Sequence, residues 1–234
     1  MRTINNSEEK KELEFSQIAW NKIHDVYQAI IYHPFNQEMI LGTLDQRKFN
    51  YYIEQDYLFL QSFAKSLALI ASRFSNDKDS MIFIRLAEST MVARQKIILP
   101  FLNSGENYKS LSISCLAYTN YLLQISAIQP IELAVSGVLP CYWIYHEVGK
   151  YIVQHTNLSN PFTKWISTYS REKFNQNLLE ITKIFNELAL NSTKETQQKM
   201  CNEFYKSSVL EWHFWNDAYN MKNYDNLNLC DEKP

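Results

Sequence analysis

Glycine is scarce in this chain. Four glycines (Gly42, Gly105, Gly137 and Gly149) stand among 234 residues, against the roughly 7% usual in soluble proteins. Phosphate-cradling loops and dinucleotide fingerprints need several glycines at short fixed spacings, and no such spacing occurs. Many-stranded β folds also turn on glycine, so helices with short connections are expected instead. An excess of one charge is missing too. The 25 acidic and 23 basic side chains leave a net charge of −2, with no basic block to suit a nucleic acid and no acidic interaction tail. The longest mostly apolar stretch, about Leu133 to Tyr145, is too short and too interrupted for a membrane span. Met1 to Glu12 is polar and charged, without the apolar core of a secretory signal. The four cysteines (Cys115, Cys141, Cys201 and Cys230) have no metal-site spacing. In the cytoplasm, where the chain is expected to work, they stay reduced. No nucleic-acid or membrane partner is expected.

Apolar residues recur at steps of three and four, the sign of amphipathic helices. The pattern predicts helices near 8–32, 46–73, 76–100, 110–127, 131–155, 171–190 and 194–219, with a shorter one near 161–167. Thr43 is the expected cap of the second of these, and Ser170 and Ser192-Thr193 look like further openings. Pro140 falls inside the fifth helix and should kink it, because proline removes a backbone donor and crowds the preceding turn. No repeat, low-complexity run or long linker divides the chain. One all-α domain over 1–223 is expected, with a loosely held tail over 224–234.

Polar groups set among aromatics mark the candidate chemistry. In Leu139-Pro-Cys-Tyr-Trp-Ile-Tyr-His-Glu-Val-Gly149, Tyr145 follows Cys141 by one turn and lies roughly 40° away around the helix. A thiol beside a phenol suits a covalent nucleophile acting on a flat organic substrate. Core packing explains the same residues, since free cysteine is often buried. Asp56 stands among Tyr52, Ile53, Phe59, Leu60 and Phe63, where a carboxylate is costly unless it is bonded or set against a ligand. Glu211 shares a face with Ser207, Ser208, Phe214 and Trp215. A carboxyl against aromatics acquires a raised pKa suited to proton transfer near neutrality. Tyr118 and Tyr169 are further candidates, although each phenol taken singly also reads as a buried structural group. The Glu-x-x-His pairs of di-iron bundles are absent, as is the Gly-x-Ser-x-Gly elbow of serine hydrolases. Neither a metal nor another cofactor is expected.

Together these segments resemble the TenA family, also called thiaminase II or aminopyrimidine aminohydrolase. The likeness rests on His33-Pro-Phe with Gly42-Thr-Leu, Phe49-x-Tyr-Tyr with Gln55-Asp56, and Leu139-Pro-Cys-Tyr-Trp with Glu147-Val-Gly. Trp165-Ile-x-Thr-Tyr169 and Ser207-Ser-x-x-Glu-x-x-Phe-Trp complete it. The resemblance implies a haem-oxygenase-like helical bundle, usually a homotetramer, that binds neither haem nor metal. It also implies hydrolysis of 4-amino-5-aminomethyl-2-methylpyrimidine to the 5-hydroxymethyl pyrimidine and ammonia, and cleavage of thiamin to pyrimidine and thiazole. On this likeness Cys141 is the nucleophile, Glu211 the acid/base, and Asp56 the group that binds the aminopyrimidine edge and orients the thiol. Tyr118, Tyr145 and Tyr169 would line the pocket, and Phe214 would pack on the ring. Phe59 stands where many relatives carry tyrosine, which removes one pocket hydroxyl, and the segment from Ile84 to Gly105 departs from the family pattern. The alternative on the same fold is a non-catalytic protein that binds thiamin metabolites.

Overall fold

The computed structural model describes residues 13–102, 111–157, 159–170 and 172–222, with the side chains of 169, 170 and 172–174 outside that description. The expected tail over 224–234 lies outside the described residues, as does the side chain of Ser170, one of the expected openings. Ten α-helices follow in order, and no strand occurs among the described residues. They are α1 (Phe15–Lys22), α2 (His24–Ile31), α3 (Pro34–Leu41), α4 (Gln46–Ala71), α5 (Asp77–Ala93), α6 (Ile113–Ile128), α7 (Ile131–His155), α8 (Thr163–Ile166), α9 (Glu172–Leu190) and α10 (Lys194–Asn220). None of the described helices is long and apolar enough to cross a membrane.

Local chemistry explains most of the boundaries. Asn76, Ser112 and Thr193 cap α5, α6 and α10 by accepting from the backbone N–H of Asp79, Cys115 and Thr196. The cap of α4 is Asp45, which accepts from Arg47 N at 2.8 Å, rather than the expected Thr43, whose hydroxyl faces the Glu38 carbonyl. The helix anticipated over 8–32 breaks at Ile23 into α1 and α2. Sequence periodicity missed α3 altogether. It is an eight-residue helix opened by the His33 side chain, which accepts from Phe35 N, with Pro34 in the first turn, where its missing donor costs nothing. Gly42 ends α3 at φ 73°, and an added Cβ there would stand 2.9 Å from Pro161 Cδ. Asn160 fastens this corner by donating to the carbonyls of Met39 and Ile40.

Two features bear on the site. The helix expected over 76–100 ends as an α-helix at Ala93 and continues as a π-helical turn, Arg94–Ile98, and a 3-10 turn, Leu99–Phe101. Arg94 steadies the turn by donating to the Tyr57 carbonyl at 2.8 Å while lying over the Tyr57 ring. The other is α7, which runs through Pro140 without a break in its helical assignment. Helices α4, α6, α7 and α10 pack on one another, with α5 against α4 and α9 against α7. Their facing sides bury a continuous aromatic and aliphatic core that includes Tyr52, Phe63, Phe204 and Trp215.

Candidate active site

A cavity of about 250 Å³ opens among α4, α5, α7, α9 and α10. Asp56 and Phe59 reach it from α4, Cys141 and Tyr145 from α7, and Glu211 and Phe214 from α10. Each helix contributes residues spaced three or four apart, which share one face of an α-helix. The long separations in sequence therefore converge on one volume.

The thiol and the carboxyl are partners. The Cys141 thiol lies beside the Glu211 carboxyl, close enough for each to act on the other's protonation. Behind Glu211, the Tyr118 hydroxyl donates to its Oε1 at 2.8 Å and lies 2.9 Å from Ser207 Oγ. Ser207 in turn donates to the Gly137 carbonyl at 2.6 Å. Tyr118 thus stands behind the acid, fully buried, rather than on the cavity wall. Tyr145 is on the wall, and its hydroxyl pairs with that of Tyr52. Phe59 lies 5.0 Å from the Tyr118 ring and 5.6 Å from the Phe214 ring, centroid to centroid. Tyr169 belongs to the 3-10 turn Ser167–Ser170, and its side chain lies outside the described residues.

Burial sets the protonation of the site. Removal from water raises the Asp56 carboxyl to about 7, with the charge of Glu211 adding to the effect. Glu211 also rises to about 7, because burial outweighs the bonds from Tyr118 and Cys141 that favour its charged form. Sequence reasoning expected such a carboxyl at Glu211 and finds a second at Asp56. The Cys141 thiol is pushed well above its ordinary range, by burial first and then by the two carboxyls. Nothing among the described residues holds it as a thiolate at rest. A thiol in this setting could act as a nucleophile only if a base accepted its proton, and Glu211 is the carboxyl beside it.

Several lining residues were not singled out from sequence. Trp165 and Tyr142 are aromatic walls, and the Tyr142 hydroxyl meets Thr90 Oγ1 at 3.3 Å. Ser89 of α5 and Asn177 of α9 face each other at 3.4 Å across another wall. His146 also borders the cavity, and burial lowers its pKa, so its ring is neutral near pH 7. Ile97 and Ile98 arrive through the π-helical turn, in the segment that departs from the expected pattern. Trp165 and Tyr142 could have been found in the motifs that flank Tyr169 and Cys141. The α5 residues carry no comparable signal.

With this geometry in hand, comparison with known proteins is specific. The profile of the TENA/THI-4/PQQC family matches residues 20–221. This chain belongs to the TENA/THI-4/PQQC family. Among its curated members, the aminopyrimidine aminohydrolase of Bacillus subtilis (strain 168) is 31% identical, over 88% of this chain and 90% of that protein. The aminopyrimidine aminohydrolase of Halalkalibacterium halodurans is 27% identical, over 91% of this chain and all of that protein. Solved structures agree in fold. A TenA homologue from Pyrococcus furiosus superposes with a TM-score of 0.78 at 20% identity, covering 88% of this chain and 100% of the other. A Shewanella denitrificans domain with a haem-oxygenase-like fold gives 0.67 at 15% identity, covering 90% and 94%. The all-α, haem-oxygenase-like bundle expected for the TENA/THI-4/PQQC family is the fold observed.

Proposed function

We propose that this member of the TENA/THI-4/PQQC family is a hydrolase acting on C–N bonds, an aminopyrimidine aminohydrolase. It converts 4-amino-5-aminomethyl-2-methylpyrimidine and water to the 5-hydroxymethyl pyrimidine and ammonia, and cleaves thiamin to the same pyrimidine and its thiazole. The observation that carries this reading is a half-buried thiol set against a carboxyl raised to about 7, inside an aromatic-walled cavity. The names of the curated relatives support the substrate class.

In this mechanism Glu211 accepts the Cys141 proton and the sulfur adds to the ring carbon next to the one bearing the aminomethyl group. Electrons displaced into the ring expel the exocyclic nitrogen, which takes the proton that Glu211 carries and leaves as ammonia, so that Glu211 is ionised again. Water then adds to the exocyclic methylene carbon, losing a proton to the acid/base, and the ring regains aromaticity as the thiolate departs. Sulfur recovers its proton from Glu211. Atoms balance as one C–N bond exchanged for one C–O bond, with the enzyme restored.

Asp56 fits its part through its raised pKa. A protonated carboxyl donates through O–H and accepts through its carbonyl oxygen, the complement of a ring nitrogen beside an amino group. Holding the ring nitrogen by a proton also draws electrons from the carbon that sulfur attacks. Phe59 and Phe214 supply apolar faces for the ring, and Phe59 offers no hydrogen bond to substrate or water. Cytoplasmic location and a homotetrameric assembly accompany this reading as proposals.

Mass spectrometry of products formed from the aminomethylpyrimidine and from thiamin is the direct test. The parent is expected to yield the hydroxymethyl pyrimidine, and Cys141→Ser to lose nearly all turnover. Normal turnover by Cys141→Ser refutes the covalent mechanism. Tight pyrimidine binding without product refutes hydrolysis and favours a metabolite-binding protein.

A further inference from the structure

Three buried oxygens behind the cavity make more hydrogen bonds than their own protons supply. Ser207 and Tyr118 are fully buried and Glu211 is 5% exposed, so the count closes within the protein. The Gly137 carbonyl can only accept, and each hydroxyl owns one proton. Ser207 spends its proton on Gly137 at 2.6 Å. The 2.9 Å contact between Tyr118 and Ser207 then requires the Tyr118 proton. The 2.8 Å contact between Tyr118 and Glu211 needs a third proton, and only a protonated Glu211 can provide it. When Glu211 is ionised, Tyr118 turns its proton to the carboxylate, and the oxygens of Tyr118 and Ser207 face each other with none between them. Two bonds form in the ionised state and three in the protonated state.

We propose that Ser207 is a positioning residue which, by accepting the Tyr118 proton, stabilises the proton that Glu211 takes from the Cys141 thiol. The proposal rests on the thiol–carboxyl reading above and adds a residue that never touches substrate. One proton leaves Cys141 Sγ for Glu211, the Tyr118 O–H swings from Glu211 to Ser207, and the Glu211 O–H donates to Tyr118. No other bond changes, and the motion reverses when the thiolate is expelled. The sequence Ser207-Ser-x-x-Glu211 places serine and acid one turn apart on α10. Gly137 stands one turn before Cys141 on α7, so the network joins the two reacting helices. The titratable groups acting on Glu211 are Asp56 from α4, Tyr118 from α6 and Cys141 from α7. Tyr145 and His146 of α7 border the same cavity. Among the described residues, none from the other helices packed on α10 acts on its carboxyl.

Ser208 is the internal control. It is equally buried, on the same helix, and donates only to the Phe204 carbonyl of its own preceding turn. The experiment records kcat/KM against pH for aminomethylpyrimidine hydrolysis by the parent, Ser207→Ala, Ser208→Ala, Tyr118→Phe and the Ser207→Ala/Tyr118→Phe double variant. Ser207 contributes two bonds to the protonated state and one to the ionised state, so its loss favours ionisation by one neutral hydrogen bond. The acid limb of Ser207→Ala is expected to move down by about half to one pH unit, with kcat falling roughly three- to tenfold as Glu211 weakens as a base. Ser208→Ala is expected to leave the limb in place. With Tyr118 already replaced by phenylalanine, removing Ser207 is expected to cause no further shift. An unmoved or raised limb in Ser207→Ala overturns the proposal, as does the same shift in the phenylalanine background.

Infrared difference spectroscopy separates this proposal from the reading it rests on. The carbonyl stretch of protonated Glu211, assigned by its loss in Glu211→Gln, is expected to titrate at lower pH in Ser207→Ala whether or not the parent turns over. A parent that turns over nothing refutes the aminohydrolase. An unshifted infrared titration refutes the role of Ser207. Should Ser207→Ala fold poorly, Ser207→Cys retains the bulk with a weaker acceptor, and the same downward shift is expected.

Discussion

The Asp56→Asn substitution is expected to stabilise this protein while disabling it, and only above about pH 5. Asp56 rises from 3.8 to about 7 on folding. A carboxyl with a raised pKa binds its proton more tightly when folded, so between those values the folded state carries more protons than the unfolded chain. Stability therefore falls as pH rises through that window, and the full cost is present above it. A rise of about three pH units is worth about 4 kcal/mol at ~1.4 kcal/mol per unit. Part of that rise comes from the charge of Glu211, which reduces what burial of Asp56 alone contributes, to roughly 2 kcal/mol. Asparagine has nearly the same shape and never ionises. Urea unfolding of parent and variant should give equal stabilities near pH 4 and an advantage of about 2 kcal/mol for asparagine near pH 8, read as a shifted midpoint at unchanged slope. Aminomethylpyrimidine hydrolysis should fall in the same protein, because the amide can no longer present an acidic O–H to a ring nitrogen. A stability difference that stays constant from pH 4 to pH 8 would refute the argument that burial of this carboxyl opposes its ionisation.

Other consequences can be checked separately. Glu211→Gln removes the base without removing bulk and should lower kcat by about 10²–10⁴, measured at the parent's pH optimum. Alkylation of Cys141 by iodoacetamide should be slow at pH 7 and accelerate with rising pH in the free protein, because burial and two carboxyls oppose the thiolate. Rapid alkylation at pH 7 would contradict this environment. Gly42→Ala forces a side chain into left-handed backbone 2.9 Å from Pro161 Cδ and should cost about 1–3 kcal/mol, seen as a fall of several degrees in Tm. Thr193→Ala deletes the cap of α10 and should cost about 1 kcal/mol with little effect on turnover.

Burial also explains the protonation of the site. Two carboxyls with pKa values near 7 stand beside a thiol held above its ordinary range, so near neutrality an acid can be ionised while the thiol keeps its proton. In the proposed mechanism the thiolate forms only when Glu211 accepts a proton, which would confine it to the catalytic event.

The order of the helices and their apolar faces were legible in the chain itself, because periodicity and caps act over a few residues. Thr193, Cys141 with Tyr145, and Glu211 beside Ser207 could all be placed on helices from spacing alone. Short-range information failed where another segment decides the local structure. α3 is held by the His33 cap and by Asn160, which comes more than a hundred residues later. Asp45 caps α4 in place of Thr43 because it directly precedes Gln46 and accepts from Arg47 N, while the Thr43 hydroxyl donates to the Glu38 carbonyl. The π-helical turn after Ala93 is steadied by Tyr57 of another helix.

The same division governs chemistry. Sequence determined that a thiol, two acids and several phenols lie on helical faces among aromatics, and that glycine-dependent nucleotide loops are excluded. Tertiary structure decided which of these groups share protons. Tyr118 became the support of an acid because α6 packs on both α4 and α10, and Ser207 became its partner because α10 lies against the Gly137 turn of α7. Protonation depends on distances of a few ångströms and on exclusion of water, and neither exists until the helices have packed.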